Sequence, residues 1–137
     1  FEMGTINTAG VAWLNAAIKW IQDQSISSLY LEEQRKRETL LKLLEKYDFI
    51  SVIGNEPAQR YVGIVSCVID GVSSDTAGQL FSERNISVRT GLHCAPLAHR
   101  FLGTFPAGTI RFSVNHFTQK EDFSELRAAL DDIEENI

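Results

Sequence analysis

A chain of 137 residues in which 44% of the side chains are hydrophobic is long enough to bury one core without disulfide or metal staples. Its net charge of -5 is concentrated in residues 120–137, which carry two basic and seven acidic side chains, so no basic stripe is present to bind a nucleic acid. Two cysteines in unlike settings, no recognisable leader and no apolar run of about 20 residues predict a cytoplasmic protein without a structural disulfide or a membrane span.

Two helices are predicted at the start of the chain. Apolar residues recur at helical spacing from about Ala9 to Gln24 and predict a first amphipathic helix that packs one face inward; they are Val11, Leu14, Ile18 and Ile21. Hydroxyl caps at 25–28 then introduce a second helix that runs to about Tyr47, with a charged run on its outer face.

Strands and a third helix follow. Residues 49–53 form a short strand candidate, and residues 61–69 are apolar on both faces, which is typical of a central strand covered on both sides. Ser73 or Ser74 is expected to cap a third helix that ends near Arg84. This part of the chain therefore predicts a sheet packed against helices.

After Asn85, which can take the left-handed turn that ends the third helix, two more strands are predicted. They cover 86–89 and 109–114. In each strand the apolar residues fall on one face and an arginine on the other, by the two-residue period of a strand. The guanidinium groups of Arg89 and Arg111 are therefore expected to project away from the core.

The chain closes with an amphipathic helix. A Ser/Thr-x-x-Glu pattern that begins at Thr118 predicts a capping box, and the apolar spacing continues to Ile137. Strands that alternate with helices predict an α+β (α/β sandwich) fold, in which helices cover a small sheet of three or four strands. Residues 1–137 are expected to form a single domain, and the opening on Phe1 rather than methionine suggests a fragment of a longer protein.

The stretch Arg89–Pro96 (RTGLHCAP) sets a cysteine on a short loop bounded by glycine and proline. Gly91 permits backbone turns that are closed to other residues and the proline stops regular structure, so the thiol of Cys94 is expected to be accessible. Arg89 and His93 supply positive potential that would favour the thiolate. These features favour a reactive thiol, while a plain turn cysteine remains open from the residues alone.

Two further stretches suggest an anionic ligand. Arg111 lies in a strand introduced by Gly108 and would hold a bidentate fork for a carboxylate rigidly, although a surface position is equally open for Arg89 and Arg111. In Gly4-Thr5-Ile6-Asn7, glycine would let a ligand approach the backbone and Thr5 offers a hydroxyl and an amide to a phosphate. By itself this short pattern favours an ordinary loop that leads into a helix. A carboxylate clamp beside a mobile thiol indicates an amino-acid or small-acid substrate.

Metal binding and Cys-His hydrolysis are the alternative functions to consider for these cysteine and histidine residues. The chain contains the right ligand types, which are Cys67, His93, Cys94, His99 and His116. No C-x-x-C pair or regularly spaced histidine pair occurs, and Cys67 lies in an apolar strand where it is predicted to be a core residue, so no metal site is expected. A Cys-His hydrolase stays possible, but no residue is marked as the orienting third member.

Together these motifs resemble the C-terminal part of the class V aminotransferase-like cysteine desulfurases, pyridoxal-phosphate enzymes that remove sulfur from cysteine. The resemblance covers nearly the whole chain and is carried by residues 1–7, 89–96 and 108–114, and then by Asn115, Phe117, Thr118 and Asp122. It implies the small C-terminal domain of a fold-type I pyridoxal-phosphate enzyme. The large domain, with the Schiff-base lysine of the cofactor, would precede residue 1.

Carried over residue by residue, the resemblance makes Cys94 the thiolate that attacks the substrate sulfur and becomes a persulfide. Arg111 would hold the substrate carboxylate with support from Arg89. Thr5, after Gly4, would contact the cofactor phosphate of the partner subunit in a homodimer. His93 matches a family position, where a role in tuning Cys94 and a role in proton transfer both stay open.

The compact loop resembles the short-loop group of these enzymes, which implies an accessory sulfur-acceptor protein. The chain alone is expected neither to bind pyridoxal phosphate tightly nor to turn over L-cysteine, because its five lysines lie in predicted helices or at a helix start. Three alternatives remain: a selenocysteine lyase or another enzyme of the same class, a cofactor-free thiol module that relays sulfur, and a dimerisation domain in which Cys94 is incidental.

Overall fold

The computed structural model describes residues 4–56 and 60–135. The helices within them are α1 (Thr8–Gln24), α2 (Ile26–Leu44), α3 (Ser74–Glu83), α4 (Pro96–Phe101) and α5 (Lys120–Glu134). The strands are β1 (Ile50–Ile53), β2 (Ile64–Ile69), β3 (Arg89–Gly91) and β4 (Thr109–Ser113). Among these described helices none is long and apolar enough to cross a membrane. Ile137 and residues 1–3 of the first motif lie outside the described residues.

The four strands form one antiparallel sheet in the order β1-β2-β4-β3, which confirms the predicted α+β fold with a small sheet covered by helices. Successive side chains of a strand point to opposite faces of the sheet. One face carries Val65, Cys67 and Ile69 of β2 with Ile110 and Phe112 of β4, and all five are buried. We call this the covered face and its opposite the open face.

Three helices pack against the covered face and form the core with it. Buried residues of α2, α3 and α5 join those of β2 and β4 in a single cluster, whose largest fully buried side chains are Phe81, Leu40, Leu44, Ile110 and Leu130. The rings of Phe81 and Phe112 meet edge to face at 5.3 Å. Cys67 is fully buried here, as predicted, and burial raises the pKa of its thiol to about 12.

The open face corrects one prediction. Residues 61–69 read as a strand covered on both sides, but Ile64 is 41% exposed and both Ser66 and Val68 are only half-buried. Apolar residues occupy both faces of β2, yet the described part of the chain supplies helices for only one of them. β3 is also displaced, because it covers Arg89–Gly91 and not 86–89.

Both ends of α3 follow the sequence, whereas the boundaries of α2 and α5 do not. Ser25 precedes α2 without a side-chain cap hydrogen bond, and α2 ends at Leu44 and not near Tyr47. Ser73 caps α3 by accepting a hydrogen bond from the Thr76 backbone N–H, and Asn85 takes the predicted left-handed conformation with φ 58°. At α5 the capping box lies one residue later than predicted: the Gln119 N–H donates to the Asp122 carboxylate at 2.8 Å. The Thr118 hydroxyl instead accepts from the backbone N–H of Asn115.

The prediction that α1 packs one face inward is wrong for the described residues. None of its residues is buried, and the apolar stripe stays open to solvent, with Val11 and Leu14 each 61% exposed. α1 packs against α2 and, through Trp20, against the rings of His116 at 5.2 Å and Phe117 at 5.5 Å. The helical period predicts which residues share a face of α1, and it does not predict what packs against that face.

Candidate functional site

Strand pairing brings the two predicted arginines directly opposite each other. Arg89 of β3 pairs with Arg111 of β4, and Ser66 of β2 pairs with Arg111 from the other side. The open face therefore carries two guanidinium groups in one row across the sheet. Like charges opposite each other destabilise an antiparallel pair, and facing side chains start only about 5 Å apart at Cβ. Such a pair is suited to an anion that interacts with both charges.

Arg111 also has unused hydrogen-bonding capacity. The side chain is half-buried, and its Nε is shielded from solvent without a hydrogen-bond partner among the described residues. A buried donor left unpaired is costly, by about 1–3 kcal/mol. A guanidinium with free donors on a rigid strand is the geometry that binds a carboxylate in bidentate fashion.

The Cys94 loop has an unusual backbone. His93 and Cys94 adopt left-handed conformations with φ 48° and 61°, and Gly91, two residues before His93, has φ 90°. For residues other than glycine, each such conformation costs about 1–3 kcal/mol and persists only where the surroundings hold it. A turn from the Ala95 N–H to the Leu92 carbonyl, 2.8 Å long, closes the loop before α4 begins. Cys94 itself is exposed, as an attacking thiol must be.

Glycine has a definite role where this loop leaves the sheet. Gly108, at φ 76°, lies so close to Gly91 that a Cβ on Gly108 would overlap the Gly91 backbone. Thr109 begins β4 directly afterwards and pairs with Gly91. The start of β4 and the end of β3 are therefore fixed against each other at the point where the Cys94 loop begins.

His93 lies between the loop and the sheet. Its Nε2 is 3.2 Å from the Thr109 hydroxyl, its ring centre is 5.9 Å from that of His99, and its Nδ1 is buried without a partner among the described residues. Burial, followed by the Arg111 guanidinium, lowers the pKa of His93, against an opposing contribution from Thr109. The lowered pKa disfavours the charged imidazole, so the expectation that His93 supplies positive potential to Cys94 is wrong and Arg89 is left as its source.

The first motif is not brought into this cluster by the fold of the described chain. Thr5 is exposed and lies before α1, whose N-terminus is capped by Asn7. Gly4 has φ 108°, and within the described part of the chain no atom apart from those of its chain neighbours lies within 4 Å of the position that its Cβ would take. This segment leaves room for an approaching ligand.

The lysines lie away from the Cys94 loop. Lys19 is in α1, Lys36 and Lys42 are in α2, Lys46 follows α2 and Lys120 begins α5. Lys36 pairs with Glu32 at 2.9 Å and Lys42 with Glu38 at 2.6 Å. The described part of the chain also holds no group of three His, Cys, Asp or Glu residues placed to bind a metal ion.

Sequence reasoning missed Thr109 and Ser66. Thr109 lies two residues before Arg111 and so shares its face of β4, a signal that the period of a strand provides. Ser66 could not be found in this way, because its place beside Arg111 depends on the register between β2 and β4.

The fold defines a class: an α+β domain with an open antiparallel sheet that matches cysteine desulfurase structures of the fold-type I pyridoxal-phosphate enzymes. The chain belongs to the aminotransferase class-V family, whose sequence profile matches residues 1–126.

Relatives and solved structures agree with this assignment. The chain is 30% identical over 131 residues to a probable cysteine desulfurase of Vibrio cholerae and 31% identical over 132 residues to a cysteine desulfurase of Synechococcus elongatus. Each alignment covers 95% of this chain, but only 31% and 20% of those relatives. The chain thus spans a third or less of their length.

The cysteine desulfurase CsdA of Escherichia coli superposes with a TM-score of 0.84 at 26% identity, covering all of this chain and 33% of that one. The apo cysteine desulfurase of Thermococcus onnurineus superposes with a TM-score of 0.88 at 23% identity, covering 100% of this chain and 34% of that one, and shows the shared fold.

Proposed function

We propose that this chain is the C-terminal domain of a pyridoxal-phosphate-dependent cysteine desulfurase and that Cys94 receives the sulfur. One observation carries the proposal: an exposed Cys94 stands in a left-handed loop attached through His93 to Thr109, on the strand that bears Arg111. A thiol and a carboxylate-binding group thus share one end of the sheet. The similarity to cysteine desulfurases over 95% of the chain supports the same activity.

Arg111 binds the carboxylate of L-cysteine, and Arg89 adds positive charge from the neighbouring strand. Arg111 is the stronger of the two contacts because it is half-buried while Arg89 is exposed. Burial reduces the screening of the ion pair by water. Their cross-strand pairing gives the bound carboxylate a fixed direction, which orients the rest of the substrate.

In the reaction, Cys94 Sγ forms a bond to the substrate sulfur while the bond between that sulfur and Cβ breaks. The carbon keeps the electron pair of the broken bond and gains a proton, which gives alanine. The two bonded sulfur atoms are oxidised and remain on the enzyme as a persulfide of Cys94. The nucleophile must be a thiolate, and the exposed loop lets it meet substrate and later an acceptor.

Pyridoxal phosphate, when bound, supplies the electron sink for this cleavage. The residues present fit part of such a site: Gly4 leaves open space for a phosphate beside Thr5, and Arg111 Nε awaits an acceptor. In a homodimer Thr5 would contact the phosphate bound by the partner subunit. The anchoring lysine would come from a large domain upstream, so the chain alone is expected neither to hold the cofactor tightly nor to turn over L-cysteine.

The same proposal covers the assembly and location of the full-length enzyme. The full-length enzyme is a homodimer in the cytoplasm that transfers sulfur to an acceptor protein, and it binds neither nucleic acid nor membrane. The loop that carries Cys94 is short, since only four residues separate β3 from α4, so an acceptor has to approach the thiol closely.

The test uses the full-length protein that contains this chain, loaded with the cofactor. Cys94→Ser should abolish alanine production and the mass increase of one sulfur atom on the protein, while the cofactor absorbance stays intact. Cys67→Ala is the matched control, and should leave turnover in place because Cys67 is sealed in the core. Alanine production by Cys94→Ser at the wild-type rate would remove Cys94 from its role.

A further inference from the structure

The backbone of the Cys94 loop needs an anchor. His93 and Cys94 are consecutive residues in the left-handed region, and neither is glycine. Cys94 is exposed, so its side chain has little to pack against. His93 is half-buried and makes a hydrogen bond outside the loop, so it is placed to hold both residues in this conformation.

Thr109 is a rigid attachment point for that ring. The residue is 2% exposed, and its backbone is fixed in the ladder by pairing with Gly91. A buried hydroxyl needs a hydrogen-bond partner, and the one present is His93 Nε2 at 3.2 Å. The contact therefore links the loop to the strand that also carries Arg111, two residues further on.

The hydrogen bond between Thr109 and His93 is compatible with two ring tautomers. When the ring proton lies on Nε2, the ring donates to the Thr109 hydroxyl, and when it lies on Nδ1, the hydroxyl donates to Nε2. A neutral ring is required for Nε2 to accept. Burial and the guanidinium groups of Arg111 from β4 and Arg89 from β3 lower the pKa of His93 and so disfavour the charged ring, against an opposing contribution from a hydrogen bond to the Thr109 backbone.

We propose that Thr109 is a positioning residue of the Cys94 site: its hydroxyl holds the His93 ring through the hydrogen bond to Nε2, and this anchor keeps residues 93 and 94 in the left-handed conformation that presents the thiol. The effect on catalysis rests on the proposed function, whereas the anchor itself does not. The competing view is that Thr109 only fills space at the start of β4 and that His93 is an ordinary polar loop residue.

The first measurement is made on the wild-type chain, whose buried apolar residues form one cluster within the described part of the structure. The ¹⁵N chemical shifts of the His93 ring nitrogens should report a single tautomer held by the hydrogen bond to Thr109. A ring that exchanges freely between its two tautomers would overturn the proposal without any variant having to fold.

Two variants then separate hydrogen bonding from shape. Thr109→Val keeps the shape and removes the hydroxyl, so His93 should lose its fixed tautomer. Exchange of the Ala95 amide, which closes the loop, should become about tenfold faster, the net value of one hydrogen bond. Thr109→Ser keeps the hydroxyl and should restore both readouts. Equal exchange rates in Thr109→Val and wild type would overturn the proposal, as would failure of the serine to restore them.

A double substitution tests whether Thr109 acts through His93. In a His93→Ala background, Thr109→Val should change the Ala95 exchange rate by less than about twofold, because the anchor is already lost. Additive effects would show that Thr109 acts by another route. In the full-length enzyme, Thr109→Val should lower kcat for persulfide formation with little change in KM. None of the first measurements needs turnover, so they can succeed or fail independently of the desulfurase proposal.

Discussion

The two cysteines stand in contrasting settings of one fold, Cys67 buried in a strand and Cys94 exposed in a loop, and the contrast shows how the fold assigns chemistry. Cys67 points from β2 into the covered face, where burial raises its pKa to about 12 and suppresses the thiolate. Cys94 stands in an exposed left-handed loop beside the open face. The covered face is sealed by three helices, whereas the open face carries Arg89, Arg111 and Ser66. The environment of a cysteine, and not the residue type, decides whether its thiol is buried in the core or is free to react.

The largest expected effect is the difference in reactivity between the two thiols. At pH 8 the thiolate fraction of Cys67 should be about a thousandfold below that of an ordinary cysteine, because its pKa is raised from the model-compound range to about 12. The native chain should therefore take up one equivalent of iodoacetamide, on Cys94, and a second only after unfolding. Since burial raises this pKa, Cys67 stays protonated as pH rises to about 9 and begins to ionise only near 12.

Peptide mapping of the alkylated protein checks this prediction. Label on Cys67 in native protein at pH 8, at a rate comparable with that of Cys94, would show that the covered face opens readily. The comparison between the two faces would then fail for the folded chain.

A second prediction concerns the arginine pair of the open face. Arg111→Gln in the full-length enzyme should raise KM for L-cysteine about tenfold to a hundredfold, because a charge-assisted hydrogen bond of about 1.5–3 kcal/mol is lost. Arg35→Gln, an exposed arginine on α2, is the matched control and should leave KM unchanged. Steady-state kinetics with L-cysteine measure KM for both variants and the wild type. An unchanged KM in Arg111→Gln would contradict the carboxylate clamp.

Much of the covered face could be predicted from the sequence, because local signals decide it. Three such predictions are confirmed by the structure, and each depends on a few neighbouring residues. They are the serine cap at Ser73, the left-handed turn at Asn85 and the two-residue period of β4. The capping box at Thr118 failed by one residue. The reason is that the threonine hydroxyl bonds the Asn115 N–H in a competing turn.

The candidate site was only partly predictable, because its geometry depends on contacts between distant residues. Cys94, Arg89 and Arg111 could be named from the sequence, but the pairing of the two arginines follows from strand register. The link between His93 and Thr109 spans 16 positions and left no local signal. The open stripe of α1 likewise shows that a period identifies a face without identifying what covers it.

The smallest expected effect comes from making the same substitution on the two faces of the sheet. Ile110→Val, at a residue 1% exposed on the covered face, should lower the free energy of unfolding by about 0.5–1.5 kcal/mol. Ile64→Val, at a residue 41% exposed on the open face, should change it by less than about 0.5 kcal/mol. Urea unfolding of the isolated chain measures both. Equal losses would mean that the two faces are equally packed.

Measuring Ile110→Val and Ile64→Val in a longer protein that contains this chain extends the comparison between the two faces of the sheet. If a large upstream domain covers the open face, Ile64→Val should become as costly there as Ile110→Val, because its side chain would lose contacts that the isolated chain does not supply. The exposure of Ile64 would then be a property of the 137-residue chain and not of the enzyme. A cost that stays below about 0.5 kcal/mol in the longer protein would show that the open face is left free around Cys94 and Arg111, where substrate must enter.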